Sequence, residues 1–170
     1  YNLLVAGGTR DTILSMPLGG VNPYPIGRAD GYIMRISGDG TIPLAGSYIG
    51  TSSYDQVFFI DLDQDETVYV LGQTRGVIPI YSSFGTVYGN PNNGVFIQKF
   101  SQDFSSILVS TTIGDTTSPS VMSSNISPTA FLVNDCGNIF ISGWGGYINS
   151  RFLGYGGDFI RNMPISAKAY

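Results

Sequence analysis

The sequence predicts an all-β fold, a partial β-propeller of about two and a half tandem four-stranded antiparallel blades. Three observations lead there. The 170-residue chain repeats itself, its composition favours strands and turns, and no segment carries ten residues of helical periodicity. Gly (23), Pro (9) and Tyr (11) are abundant while Glu66 is the single glutamate, so helix formers are scarce.

The repeat is visible by eye. Tyr32–Gly50 aligns without gaps on Phe96–Gly114, with identities at Ile33/Ile97, Ser37/Ser101, Asp39/Asp103, Leu44/Leu108, Ile49/Ile113 and Gly50/Gly114. A second block occurs three times, as Asn2–Gly7, Thr67–Gly72 and Asn138–Gly143, and its first two copies run on into G-x-T-R, ending at Arg10 and Arg75. A hydrophobic-Pro pair follows each copy, as Met16-Pro17, Ile78-Pro79 and Met163-Pro164.

Each unit reads as four strands in order. The first is Val57–Asp61 or Ala130–Val133; the second is the near-continuous apolar run Val68–Leu71 or Ile139–Ser142, which suits a strand buried on both faces. Asp63-Gln64-Asp65-Glu66 and Asp135-Cys136-Gly137-Asn138 supply the hairpins between them. The third strand is Tyr32–Ser37 or Phe96–Ser101, and Asp39-Gly40 turns the chain into the fourth, Leu44–Ile49 or Ile107–Ile113. The units are approximately 1–50, 51–114 and 115–170, the first and last incomplete, all within one propeller domain. Both ends fall inside a unit, so the expectation is a piece of a larger propeller.

Composition removes several function classes. Only 12% of residues are charged against 42% apolar, which excludes charge-driven disorder. With no His and one Cys, neither a protein-only zinc site nor a Ser-His or Cys-His pair can be assembled within this chain. The net charge is −4 and the eight basic residues are scattered, which argues against nucleic acid. No stretch of eighteen apolar residues spans a membrane, and Tyr1–Gly7 does not read as a signal peptide. Neither a P-loop nor a complete G-x-G-x-x-G follows any strand. Cys136 reads as a buried thiol or as half of a disulfide to a segment outside the chain.

What remains are candidate binding positions. Asp61, Asp63 and Asp65 alternate on one loop and could ligate Ca²⁺, but the EF-hand glycine and distal bidentate Glu are absent and the segment reads first as a solvated hairpin. Trp144 and Tyr147, flanked by glycines, form a possible platform for a sugar ring or partner chain, or pack between blades. Tyr81, Tyr88, Tyr147 and Tyr155 lie in Gly/Asn/Ser-rich loops suited to recognition or to ordering the loops themselves. Arg10 and Arg75 occupy equivalent positions, which suggests a structural role, with each bonded to carbonyls or a nearby Asp at a blade end. If the chain were an enzyme, paired carboxylates would be its acid/base chemistry, with Asp30, Asp61 and Asp158 the first to examine.

The order N-x-Φ-V-x-G-x-T, Φ-P, D/N-G-Φ-Φ-Φ-x-K/R-Φ-S and L-x-x-S/T-x-x-I-G resembles the bacterial β-propeller repeats often called SBBP. The block Phe131–Gly146 is further similar to large gliding-motility-associated surface proteins of Bacteroidota, exported by the type IX secretion system. The resemblance covers essentially the whole chain and departs from the pattern where Asp63–Glu66 replaces a Gly-Asn turn and where Asp115–Ser127 lengthens a connection. It implies a secreted or cell-surface location, type IX export machinery as a partner in transit, and O-glycosylation acceptors at Thr12 and Thr116 within D-S/T-Φ-like triplets. The expected function is a non-catalytic structural, adhesion or binding module with no obligatory cofactor, contacting surface polysaccharide or protein. The alternatives are a polysaccharide-active propeller enzyme, or export cargo held by the secretion machinery.

Overall fold

Apolar runs separated by Gly, Asp and Ser turns form ten β-strands, with no helix among the residues that the computed structural model describes: 1–10, 14, 16–89, 94–113 and 126–144. β1 (Leu3–Thr9), β2 (Asp30–Ile36) and β3 (Pro43–Ile49) pair in that order. The middle sheet runs β4 (Asp55–Leu62), β5 (Val68–Thr74), β7 (Val95–Phe100), β8 (Ile107–Ile113) and β6 (Tyr81–Ser82). β9 (Ser127–Val133) pairs with β10 (Ile139–Trp144). All ladder pairings are antiparallel.

The expected strands are present, most of them slightly longer than the sequence indicated. One difference concerns strand number. The middle sheet has five strands because the loop at Tyr81–Ser82 pairs with Ser110 and Val109 of β8. The Ser83 amide and hydroxyl both donate to the Leu108 carbonyl at 2.9 Å, fixing this short strand along an edge that would otherwise present a free ladder.

Sequence identity between copies becomes identity of register. Tyr32 opposes Tyr48 and Ile36 opposes Pro43, with a bulge after Arg35. Sixty-four residues on, Phe96 opposes Thr112 and Phe100 opposes Ile107, with the bulge after Lys99. The glycine of the second block has a steric cause. Gly72 lies opposite Phe96, and a Cβ there would sit 2.5 Å from the ring; Gly7 stands in the same relation to Tyr32, at 3.1 Å. The aromatic ring of one strand lies across the bare backbone of the next.

The S-x-D turns repeat to the atom. Ser37 and Ser101 hydroxyls donate to Asp39 and Asp103 Oδ1 at 2.5 and 2.7 Å. The same carboxylate oxygens accept from the Thr41 and Ser105 amides and hydroxyls. Gly40 holds φ 77° in the first turn; the second has Phe104 at φ 61°, where glycine is normally favoured. Phe104 is 0% exposed, meets Phe100 edge-on and accepts the Val21 amide at its carbonyl. Burying a phenyl ring, worth up to about 3 kcal/mol, outweighs the left-handed strain of about 1 kcal/mol.

Three apolar clusters stack the sheets. Ile33 and Ile49 of the first sheet meet Val57, Val68, Val70, Phe96 and Phe100 of the second. Leu71, Val95, Ile97 and Ile113, on the opposite face of the second sheet, pack with Phe131 and Ile141 of the third. Met16, Met34 and Tyr48 close the outer face of the first sheet, where the Tyr48 hydroxyl donates to the Leu14 carbonyl. β5 is therefore buried on both faces, as its continuous apolar run predicts.

Phe104→Ala is expected to destabilise the chain by about 3 kcal/mol or more, and Phe104→Gly by about 1 kcal/mol less than that. Urea denaturation checks the order, which reverses the usual advantage of Ala over Gly; equal losses would remove the strain argument.

Candidate functional site

The antiparallel pairing Thr9↔Asp30 and Asp55↔Thr74 brings the ends of β1 and β5 and the starts of β2 and β4 to one end of the two sheets. Backbone bonds lock these ends together. Ala29 and Tyr54 form a parallel bridge, the Asp55 amide donates to the Ala29 carbonyl at 2.8 Å, and the Arg28 amide to Ser53 at 3.3 Å. Two buried carboxylates hold the loops. Asp30 accepts from the Ile26 and Gly27 amides, and Asp55 from the Thr51 amide at 2.6 Å and the Thr51 hydroxyl at 3.0 Å. Burial, reinforced by the charge of Asp30, pushes the Asp55 carboxyl above its usual range despite those bonds.

On this floor opens a cleft of about 660 Å³, lined by Arg10, Arg28 and Arg75 together with Ala29, Ser53 and Tyr54. The Arg75 guanidinium lies over the Tyr54 ring, 5.6 Å from its centroid, and its amide donates to the Tyr54 carbonyl. The Tyr54 hydroxyl donates to Gln56 Oε1 at 2.6 Å. A smaller neighbouring hollow shares Arg10, Ala29 and Tyr54 and also reaches Asp55. Five cations occur among the described residues. Arg35 and Lys99 are in ion pairs, with Glu66 at 3.2 Å and Asp63 at 3.1 Å, whereas Arg10, Arg28 and Arg75 are exposed and have no ion-pair partner among the described residues.

The sequence had read Arg10 and Arg75 as structural, bonded to carbonyls or an Asp. Both line one cleft, together with Arg28, which the sequence did not single out. The repeated G-x-T-R was the available signal; the missing information was that a loop before β2 comes alongside the loop before β4.

The carboxylate segment forms the β4–β5 hairpin, with Gln64, Asp65 and Glu66 exposed at its tip and the Asp63 side chain turned inward. Asp63 is 6% exposed at its side chain and accepts from the Thr67 amide and hydroxyl, the Asp65 amide, the Tyr69 hydroxyl and Lys99. Burial opposes its ionisation, but the Thr67 hydroxyl, the Lys99 ammonium and the Tyr69 hydroxyl hold the carboxyl at about 2. Asp61 accepts the Val133 amide of the next sheet at 2.7 Å. Asp65 lends its carbonyl to Gln102 Nε2 at 2.5 Å. Among the described residues no three metal-ligating side chains gather, and Ca²⁺ at Asp63 would meet the Lys99 ammonium already there. Asn134 repeats the Asp63 turn: it accepts the Cys136 and Asn138 amides, with Gly137 at φ 77° where Glu66 has 56°. Cys136 is exposed rather than buried, because its turn directs it outward while its amide faces Asn134.

Trp144 ends β10 opposite Ser127. Tyr147, Tyr155, Asp158, Thr12 and Thr116 lie outside the described residues. Asp30, at the start of β2, and Asp61, near the end of β4, are each engaged by backbone amides at separate places in the fold. Tyr81 is in β6, and the Tyr88 carbonyl accepts the Thr111 hydroxyl.

Because the Asp63 carboxyl is held at about 2 against an ordinary 3.8, its stabilisation is complete above about pH 4 and lost as pH falls toward 2. Asp103, held at about 2 by the Ser101 and Ser105 hydroxyls, loses its contribution in the same window. Asp63→Asn is expected to be less stable than the parent at pH 7 and to show a shallower acid loss between pH 4 and 2. Urea midpoints across that range read both effects, and parallel curves would contradict the assignment.

No family model matches the chain, and no curated protein matches it.

Proposed function

We propose that the chain is a segment of a secreted or cell-surface β-propeller, a non-catalytic structural, adhesion or binding module of a large exported protein. The observation that carries this reading is the stacking of successive antiparallel sheets. β4, the first strand of the middle unit, lies against β1, the second strand of the unit before it, and against β9, the first strand of the unit after it, so successive units are neighbours. Such stacking makes a rigid body whose strand-end loops are free to bind, the usual division of labour in repeat scaffolds. The units are then blades at approximately 1–50, 51–114 and 115–170. The resemblance to SBBP-type repeats and to gliding-associated surface proteins supports export by the type IX route and a place on the outer face of the cell.

The competing reading is a polysaccharide-active enzyme using paired carboxylates. Asp30 and Asp61 are each engaged by backbone amides, which favours the binding reading over catalysis. Most of the carboxylates among the described residues serve turn and loop geometry.

Incubating the 170-residue chain with a panel of polysaccharides is expected to give retardation in affinity electrophoresis without new reducing ends. Time-dependent accumulation of reducing ends would overturn the non-catalytic reading.

A further inference from the structure

We propose that the cleft lined by Arg10, Arg28 and Arg75 is a binding site for an anionic polysaccharide, one carrying carboxylate or sulfate groups along its chain. The inference rests on the binding-module reading above and names the ligand class of its site. Arg10, Arg28 and Arg75, from three separate loops, line one cavity, and among the described residues no carboxylate lines the larger hollow. In a chain of net charge −4 this is a local concentration of cations, and among the described residues none of the three is in an ion pair. Guanidinium is the side chain that best matches the paired oxygens of carboxylate and sulfate.

Other features of the cleft select a sugar over an acidic peptide. Arg75 stacked on Tyr54 makes a flat surface that is partly apolar and partly cationic, and Ser52 and Ser53 add hydroxyls beside it. A pyranose ring has an apolar face, hydroxyls at its rim and, in an acidic polysaccharide, an oxyanion at its edge. An extended peptide, by contrast, binds most readily along a free sheet edge, where backbone donors and acceptors alternate. This cleft lies at strand ends, and the backbone groups beneath it are committed: Asp55 to Ala29, Arg28 to Ser53 and Arg75 to Tyr54. The floor is thereby preorganised while the three cationic heads remain exposed, so binding needs little reordering of the backbone. The volume of about 660 Å³ lies within the range of ordinary ligand pockets, and the open cleft admits an internal stretch of a longer chain.

The test uses affinity electrophoresis of the 170-residue chain with four probes: polygalacturonate, dextran sulfate, neutral dextran and poly-glutamate. Both anionic polysaccharides are expected to retard the protein at least ten-fold more strongly than neutral dextran, with the effect declining as salt rises. The stronger of the two identifies carboxylate or sulfate as the preferred group. Arg10→Gln and Arg28→Gln, whose side chains make no internal ion pair among the described residues, are each expected to weaken retardation by about ten-fold. Their melting temperatures report whether the fold survives, and Arg10→Lys, which keeps the charge but not the planar fork, is expected to fall between parent and Gln variant. Equal retardation by neutral dextran, equal retardation by poly-glutamate, or anionic retardation unchanged in folded Arg variants would each overturn the assignment. Unlike those outcomes, release of reducing ends would overturn only the non-catalytic reading and leave the ligand class standing.

Discussion

The structure depends on one constraint: β5 and β7 are apolar on both faces, so the middle sheet must be covered on both sides. Val68, Val70, Phe96 and Phe100 point one way, toward Ile33 and Ile49; Leu71, Val95 and Ile97 point the other, toward Phe131 and Ile141. A lone sheet with such strands would leave one apolar face in water, and flanking sheets remove it. The low charge content of the chain follows, because strand positions that would carry charge on a half-exposed sheet are here covered. Each flanking sheet is built by the same sequence unit, so covering the middle sheet and repeating the unit are one solution.

Polar side chains are consumed by that arrangement. Asp39 and Asp103 fold their turns, Asp63 and Asn134 fold the hairpins, Asp30 and Asp55 hold the loops before their strands, and Asp61 joins two sheets by accepting the Val133 amide. The equivalent cations Arg35 and Lys99 are likewise paired, with Glu66 and Asp63. Once these commitments are made, the exposed guanidiniums of Arg10, Arg28 and Arg75 stand out by position rather than by number. They mark the end of the sheets at which a ligand would find charge.

Strand order and register were legible because the repeats carry them. An identity such as Ser37/Ser101 or Leu44/Leu108 reports a shared backbone position, and the bulges after Arg35 and Lys99 follow automatically. Positions where one copy substitutes an unexpected residue were less legible. Phe104 occupies a left-handed turn position that Gly40 fills in the first copy, and its burial in the core cluster with Phe96 and Phe100 explains it. The pairing of Asp63 with Lys99 was not legible because the two are distant in sequence; cross-strand pairing through Tyr69 brings them together. The cleft was half visible. Arg10 and Arg75 were recognised as equivalent, but Arg28 enters through a parallel bridge between Ala29 and Tyr54 that no periodicity announces.

Amide hydrogen exchange of the 170-residue chain tests the central claim most directly. If burial on both faces is the organising constraint, amides of Val68–Thr74 and Val95–Phe100 exchange slowest, through the same opening as those of β2 and β3. Protection of β5 and β7 no greater than that of β9 and β10, or separate openings for the first and middle sheets, would contradict it.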